Sequence, residues 1–220
     1  RVSSAAMTGS EKIREAAEAL GRDTTITILT AHARPPSGVS RVGGPGVDLG
    51  ERQPRSGDGR AMTHIWTLAT ADVPTLAAAY PGAAAVALYI LDPQENEAWE
   101  PDNGFTALLP LTADDLARAE AEPTEQDLSP ADVTAEQIAV ASAAFDDGYY
   151  DDESDDAPRR QLRGAIYNAN ARAGGAPIWL QSDEHDGHFL LQFDEGFASV
   201  NLGDCGVMYV FTDQQFWQCH

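Results

Sequence analysis

The chain has 220 residues, 43% of them hydrophobic, enough to bury a full core as one domain or as two half-sized lobes. Its 35 acidic and 14 basic side chains give a formal net charge of -21, which argues against nucleic acid or an anionic membrane surface as partner, because both attract lysine and arginine. No apolar run approaches the ~20 residues of a membrane span, and two cysteines, Cys205 and Cys219, are too few for a disulfide framework.

In chain order, SEKIREAAEALG at 10–21 predicts a short amphipathic helix with Ile13, Ala16, Ala17 and Leu20 on one stripe. Thr8 and Glu11 form a capping-box pattern ahead of it, and Gly21 suits its C-terminal end. TTITILTAH at 24–32 alternates and predicts a strand. Residues 34–61 are too dense in proline and glycine for regular structure. Strands are predicted again at 63–69 and 83–91, with a short helix between them in DVPTLAAAY. FTALLPL at 105–111 predicts a strand, and Thr112 then caps a helical start.

Ser129-Pro130 with Asp132 predicts a helix over roughly 130–145, with Val133, Gln137, Val140, Ala141 and Ala144 along one face. FDDGYYDDESDDAP follows, and RRQLRGAIYNANAR after it has no clear assignment. Two apolar strands, HFLLQF and GVMYVF, and then DQQFWQCH end the chain.

The charge is uneven. Residues 1–91 carry nine basic and eight acidic side chains, and residues 157–220 four and seven. Residues 92–156 carry twenty acidic side chains against Arg118 alone, a net of -19. Within 146–156, seven of eleven positions are acidic. The composition suits calcium, but counting from Asp146 the sixth residue is Asp151, where an EF-hand loop needs glycine. The segment therefore reads as a solvated acidic loop that orders against a partner. A field of this sign steers a basic protein toward it.

The two ends of the chain echo each other. Gly43-Gly44-Pro45 opens one part and Gly174-Gly175-Ala176-Pro177 the other. His64 precedes Gly82 by 18 residues, and His188 precedes Gly206 by 18, so one offset of 124 aligns both strand pairs. An internal duplication is the reading. It divides the chain into 1–33 (helix and strand), 34–91 (first half-repeat), 92–156 (acidic helical insertion) and 157–220 (second half-repeat). The expected fold is α+β: mostly antiparallel sheets in two pseudo-repeated lobes with a few peripheral helices.

GDGRAMTHIWTL (57–68), PGAAAVALYI (81–90), GGAPIWLQ (174–181), HFLLQFD (188–194) and GDCGVMYVF (203–211), with the Gly-Gly-Pro openings, resemble the bacterial YwqG-like family. The likeness spans about 34–216 and is strongest in the C-terminal part; the Arg/Gly run before His64 departs from it. The resemblance implies an α+β fold with antiparallel sheet and internal pseudo-symmetry, and it implies no enzymatic activity.

No constellation carries chemistry. Cys205, Cys219, His185, His188 and His220 lack the paired spacing of a zinc site, and Asp204 beside Cys205 disfavours a thiolate. Asp194 and Glu195 are adjacent on a strand and point to opposite faces. The glycine-rich 43–50 stretch lacks the Gly-Lys-Ser/Thr ending of a phosphate loop. Trp66, Trp179, Tyr209 and Phe211 read as core.

The expected function is therefore binding without catalysis, metal or cofactor: a cytoplasmic immunity protein that covers a basic toxin domain. The predicted contact residues are Asp146, Asp147, Tyr149, Tyr150, Asp151, Asp152, Glu153, Asp155 and Asp156, with the two tyrosines as exposed aromatics among charge. The alternative is an enzyme or small-ligand protein using a cleft between the lobes around His64, His188 and Gln192.

Overall fold

The computed structural model describes residues 7–95, 98–99, 103–146, 156–181 and 185–220. Helix α1 (Gly9–Ala17) and strand β1 (Thr24–His32) come first. A meander follows: β2 (Arg41–Val42), β3 (Thr63–Ala69), β4 (Ala85–Ile90) and β5 (Thr106–Leu111), with helix α2 (Pro74–Ala79) between β3 and β4. Helix α3 (Ala113–Leu116) leads to β6 (Ala131–Val140) and helix α4 (Ala157–Tyr167). A second meander ends the chain: β7 (Ala171–Ala173), β8 (Phe189–Asp194), β9 (Val207–Phe211) and β10 (Gln215–Gln218).

One ten-stranded sheet holds all of these strands, in the order β10-β9-β8-β7-β1-β6-β2-β3-β4-β5. Every neighbouring pair is antiparallel. The order is symmetric about the β1–β6 pair, which runs from Thr24 opposite Val140 to His32 opposite Asp132. Each of these two strands lies beside the meander that follows the other one: β7 pairs with β1, and β2 with β6. The halves are thus interlocked in one sheet rather than stacked as separate lobes. The outer strands β5 and β10 approach each other, with the Thr106 hydroxyl 3.2 Å from Gln215 Oε1, so the sheet is a nearly closed barrel. The mostly antiparallel α+β character with few helices agrees with the sequence reading.

Alternation sorts the side chains. Val86, Leu88 and Ile90 of β4 and Met208 and Val210 of β9 face a shared interior with Trp66, Leu68, Leu191 and Phe193. Their alternate neighbours, Ala87 and Tyr89 or Tyr209 and Phe211, face outward into separate clusters. Outside the central pair, α1 and α4 cover Ile26, Ile28, Ile138 and Val140 with Ile13, Leu162 and Ile166. Each such apolar side chain contributes about 1.5–3 kcal/mol on burial. The capping boxes at Thr8/Glu11 and Thr112/Asp115 are both formed. Helix α1 ends earlier than its apolar stripe suggested, at Ala17.

The helix expected over 130–145 is strand β6 instead, followed by a 3-10 turn at Ser142–Phe145. Val133, Thr134, Ile138 and Val140 are β-branched, and β1 supplies a full-length antiparallel partner. That tertiary pairing overrides a local capping signal. The acidic region 92–156 accordingly contributes β5 and a central strand to the sheet, with α3 as its one α-helix among the described residues. Residues 157–167, unassigned from sequence, form α4.

Two glycines give a test of backbone constraint. Gly43 has φ +64, and a Cβ there would lie 2.4 Å from the Ser129 carbonyl oxygen; Gly21 has φ +92 with nothing within 4 Å. Gly21→Ala is expected to cost only the ~1–2 kcal/mol of the left-handed backbone. Gly43→Ala should cost clearly more, because the Leu128–Ser129 backbone must also move. Urea unfolding of the two variants measures the difference, and equal costs would contradict this packing.

Candidate functional site

The second meander opens on a buried arginine. Arg172 is 1% exposed. Its Nη1 donates to the Gly174 carbonyl at 2.8 Å, and its Nη2 to the Ala176 carbonyl at 2.5 Å and to Gln192 Oε1 at 2.7 Å. The guanidinium lies between the rings of Phe145 and Phe189, 5.0 and 5.2 Å from their centroids. No carboxylate touches it among the described residues, and burial pulls its pKa down to about 9. It remains a cation at neutral pH. Gln192 Oε1 also accepts from Ile178 N at 3.0 Å; the Tyr209 hydroxyl donates to Ile178 O at 2.9 Å and accepts from Leu180 N at 3.0 Å. Arginine, glutamine and tyrosine together hold the 174–180 loop against the sheet.

The first meander repeats the plan with different chemistry. Arg41 Nη2 donates to the Pro45 carbonyl at 2.9 Å, and Nη1 to Glu120 at 2.5 Å. His64, 2% exposed, places Nδ1 3.1 Å from Gly44 O and Nε2 2.8 Å from Thr67 Oγ1. A carbonyl only accepts, so Nδ1 carries the proton and Nε2 accepts from the Thr67 hydroxyl. Burial, and secondarily Arg41, drive the His64 pKa down to about 4. Tyr89 stands across the sheet from His64, and burial pushes its hydroxyl up to about 12.

His64 pairs with Tyr89, and Gln192 pairs with Tyr209. The β2–β3 and β7–β8 registers nevertheless make Thr67, opposite Arg41, the counterpart of Gln192, opposite Arg172, and the shared bulge makes Phe189 the counterpart of His64, one residue from the His188 that the single offset of 124 implied. The bulge falls at the same place in both halves, between His64 and Trp66 and between Phe189 and Leu191, but the offset is 125 from β3 to β8 and 122 from β4 to β9, so no one offset serves the whole pair. Sequence reasoning used the Gly-Gly-Pro openings but missed the arginines. Their signal is in the chain: RVGGP at 41–45 and RAGGAP at 172–177 each carry arginine two residues before the glycine pair.

The second clamp also anchors the acidic segment. Phe145, which stacks on Arg172, fills the space over Gly175, where a Cβ would lie 2.5 Å from its ring. Arg163 Nε donates to the Ala144 carbonyl at 2.9 Å. At the other end Asp156 caps α4, accepting from Arg159 N at 3.3 Å. Of the predicted contact residues, Asp146 is exposed and Asp156 half-buried at these anchored ends. Asp147, Tyr149, Tyr150, Asp151, Asp152, Glu153 and Asp155 lie outside the described residues.

Several acids of 92–156 meet arginines of the first 91 residues. Asp132 pairs with Arg34 at 2.6 Å, Asp115 with Arg52 at 2.7 Å, Glu120 with Arg41, and Glu136 with Arg14. Backbone donors at Ser37 and Thr112, then the arginines, hold Asp132 and Asp115 down to about 2. With 14 basic residues against 35 acidic ones, such pairing leaves most of the negative charge without a basic counterpart.

The remaining candidates do not converge. Cys205 is exposed and Cys219 half-buried. His185 meets Asp213 at 3.1 Å, and His188 is exposed. Asp194 is half-buried with its pKa raised by burial, while Glu195 is exposed and accepts from Leu202 N. Among the described residues no helix is long and apolar enough to cross a membrane. No family model matches the chain, and no curated protein does.

The burial of His64 predicts a pH effect. Between pH 6.5 and about 4 the unfolded chain takes up a proton at His64 that the folded chain refuses, so stability falls as pH drops through that window. The full effect is about 3 kcal/mol. His64→Gln, which keeps polar atoms for Gly44 and Thr67 but does not titrate, should flatten urea-derived stability between pH 6.5 and 4 relative to wild type; an unchanged slope would mean His64 is not the titrating group.

Proposed function

We propose that this is a non-enzymatic binding protein, an immunity protein of YwqG-like type that neutralises a basic bacterial toxin domain in the cytoplasm. The observation that carries the reading is the net charge of -19 confined to residues 92–156, with seven acids at 146–156. Desolvating so many like charges within the fold is prohibitive, whereas a cationic partner turns them into attraction and a fast association rate. The described ends of 146–156 support it: Phe145 is wedged on Arg172, and Asp156 caps α4. Fixed ends lower the entropy lost when a partner engages the segment. An enzyme or small-ligand cleft has less support, since His64 and Gln192 are buried with ring nitrogens and Oε1 engaged by local partners.

The test replaces Asp146, Asp147, Asp151, Asp152, Glu153, Asp155 and Asp156 by Asn or Gln together. Asparagine at 156 keeps the helix cap, so folding is preserved. Capture from the source cells should retain a basic protein on wild type at low salt, release it as salt rises, and lose it on the neutralised variant. Equal retention by the neutralised variant would reject the segment as the interface.

A further inference from the structure

Trp99 stands out of the fold on a fixed backbone. Its side chain is 53% exposed, while its neighbour Ala98 is fully buried. The Ala98 carbonyl accepts from Trp217 N at 3.2 Å, so residue 98 lies beside β10. Upstream, the Pro93 carbonyl accepts from Asn201 N at 2.9 Å. Gln94 Nε2 donates to the Ser199 carbonyl at 3.1 Å, and the Gln94 carbonyl accepts from Asn201 Nδ2 at 2.8 Å. An indole left in water contributes none of the burial energy that Trp66 and Trp179 supply inside the fold.

Trp99 and Trp217 line one groove of about 260 Å³ with Gln181, Gln218 and Cys219. That is below the ~300–1,000 Å³ of small-molecule clefts and suits the head of a single side chain. No lysine or arginine lines it. Gln181 Nε2 donates to the Cys219 carbonyl at 2.6 Å, which leaves Oε1 as an acceptor. The rim carries Asp204. Its carbonyl accepts from His220 N at 3.1 Å, next to Cys219, and Gly203 before it lies against the Trp217 ring, 2.9 Å from where a Cβ would stand. Asp204 is exposed, and among the described residues its carboxylate has no hydrogen-bond or ion-pair partner. Trp99 itself belongs to the segment 92–156 with its net charge of -19. Indole faces, amide acceptors and a free carboxylate together attract a cation. A planar guanidinium stacks on an indole and pairs with a carboxylate at once, which a compact ammonium does less well.

We propose that the Trp99–Trp217 groove receives an arginine side chain of a protein partner, with the guanidinium stacked on indole and paired with Asp204. This rests on the reading of a basic protein partner but places a second contact on residues outside 146–156. Interface energy concentrates on tryptophan and arginine. Trp99 on its fixed backbone thus supplies an anchor point, while the long-range charge of the acidic segment supplies the approach.

The experiment titrates the full chain with a ten-residue peptide of alternating arginine and glycine, followed by the indole N–H resonances of the four tryptophans. The control peptide carries citrulline, the neutral isostere, in place of arginine. The arginine peptide should shift the Trp99 and Trp217 resonances and leave those of buried Trp66 and Trp179 in place; the citrulline peptide should shift none. Trp99→Ala should weaken binding by about tenfold, and Asp204→Asn by about threefold. Both positions are exposed, and unmoved Trp66 and Trp179 resonances verify that each variant folds. Unchanged affinity in either variant would overturn the groove, as would failure of the arginine peptide to bind or equal binding of the citrulline peptide. Binding that leaves the indoles unmoved and vanishes when the seven acids at 146–156 are neutralised would overturn the groove and leave the acidic-segment reading standing. Trp99 and Trp217 shifts that survive that neutralisation would support the groove even where that reading fails.

Discussion

The antiparallel pairing of β1 with β6 is the constraint on which the rest of the molecule depends. Their paired residues are 100 to 116 positions apart in the chain, yet they match residue for residue from Thr24–Val140 to His32–Asp132. Because β7 adds to β1 and β2 adds to β6, each half closes its sheet on a strand from the other half. Neither meander has a complete sheet without that exchange. Closing so long a loop costs entropy, and the outer faces of the two strands offset it by burying Ile26, Ile28, Ile138 and Val140 under α1 and α4.

The two clamps answer one packing problem with different chemistry. In both meanders a Gly-Gly loop must cross the outer face of the sheet, and its carbonyls need donors once buried. Arg172 supplies two such bonds, donates a third to Gln192 Oε1, and sits between two aromatic rings in place of a counter-ion. Arg41 supplies one and keeps a glutamate partner, so His64 takes over the Gly44 carbonyl. Gln192 and Thr67 occupy the matching places, each opposite its half's arginine. The second clamp also holds Phe145, which ties the rigid part of the fold to the entrance of the acidic segment.

Much of the local structure was legible. The strands at 24–32, 63–69 and 83–91 show in their alternation or apolar runs, and Thr8/Glu11 and Thr112/Asp115 announce helix starts by side-chain chemistry within three residues. The stretch 131–140 was misread because its caps are local while its partner strand is remote. The duplication was legible in the glycine pairs, but its register was not: the offset is 125 from β3 to β8 and 122 from β4 to β9, and the bulge both halves share leaves no mark in composition. The candidate site was legible only as charge. The arginines that build its base stand two residues before each glycine pair, but only their tertiary hydrogen bonds to the loop carbonyls give that spacing meaning.

What the sequence by itself determined is the charge, its confinement to 92–156, the mainly antiparallel character and the periodic faces of the single elements. Those follow from residue type and short-range spacing. Only the tertiary structure decided that β6 is a strand, that the halves interlock, and that Thr67 answers to Gln192 across the arginines. Each of these depends on which remote backbone supplies a strand's hydrogen bonds, and that choice is made by the packing of the whole sheet.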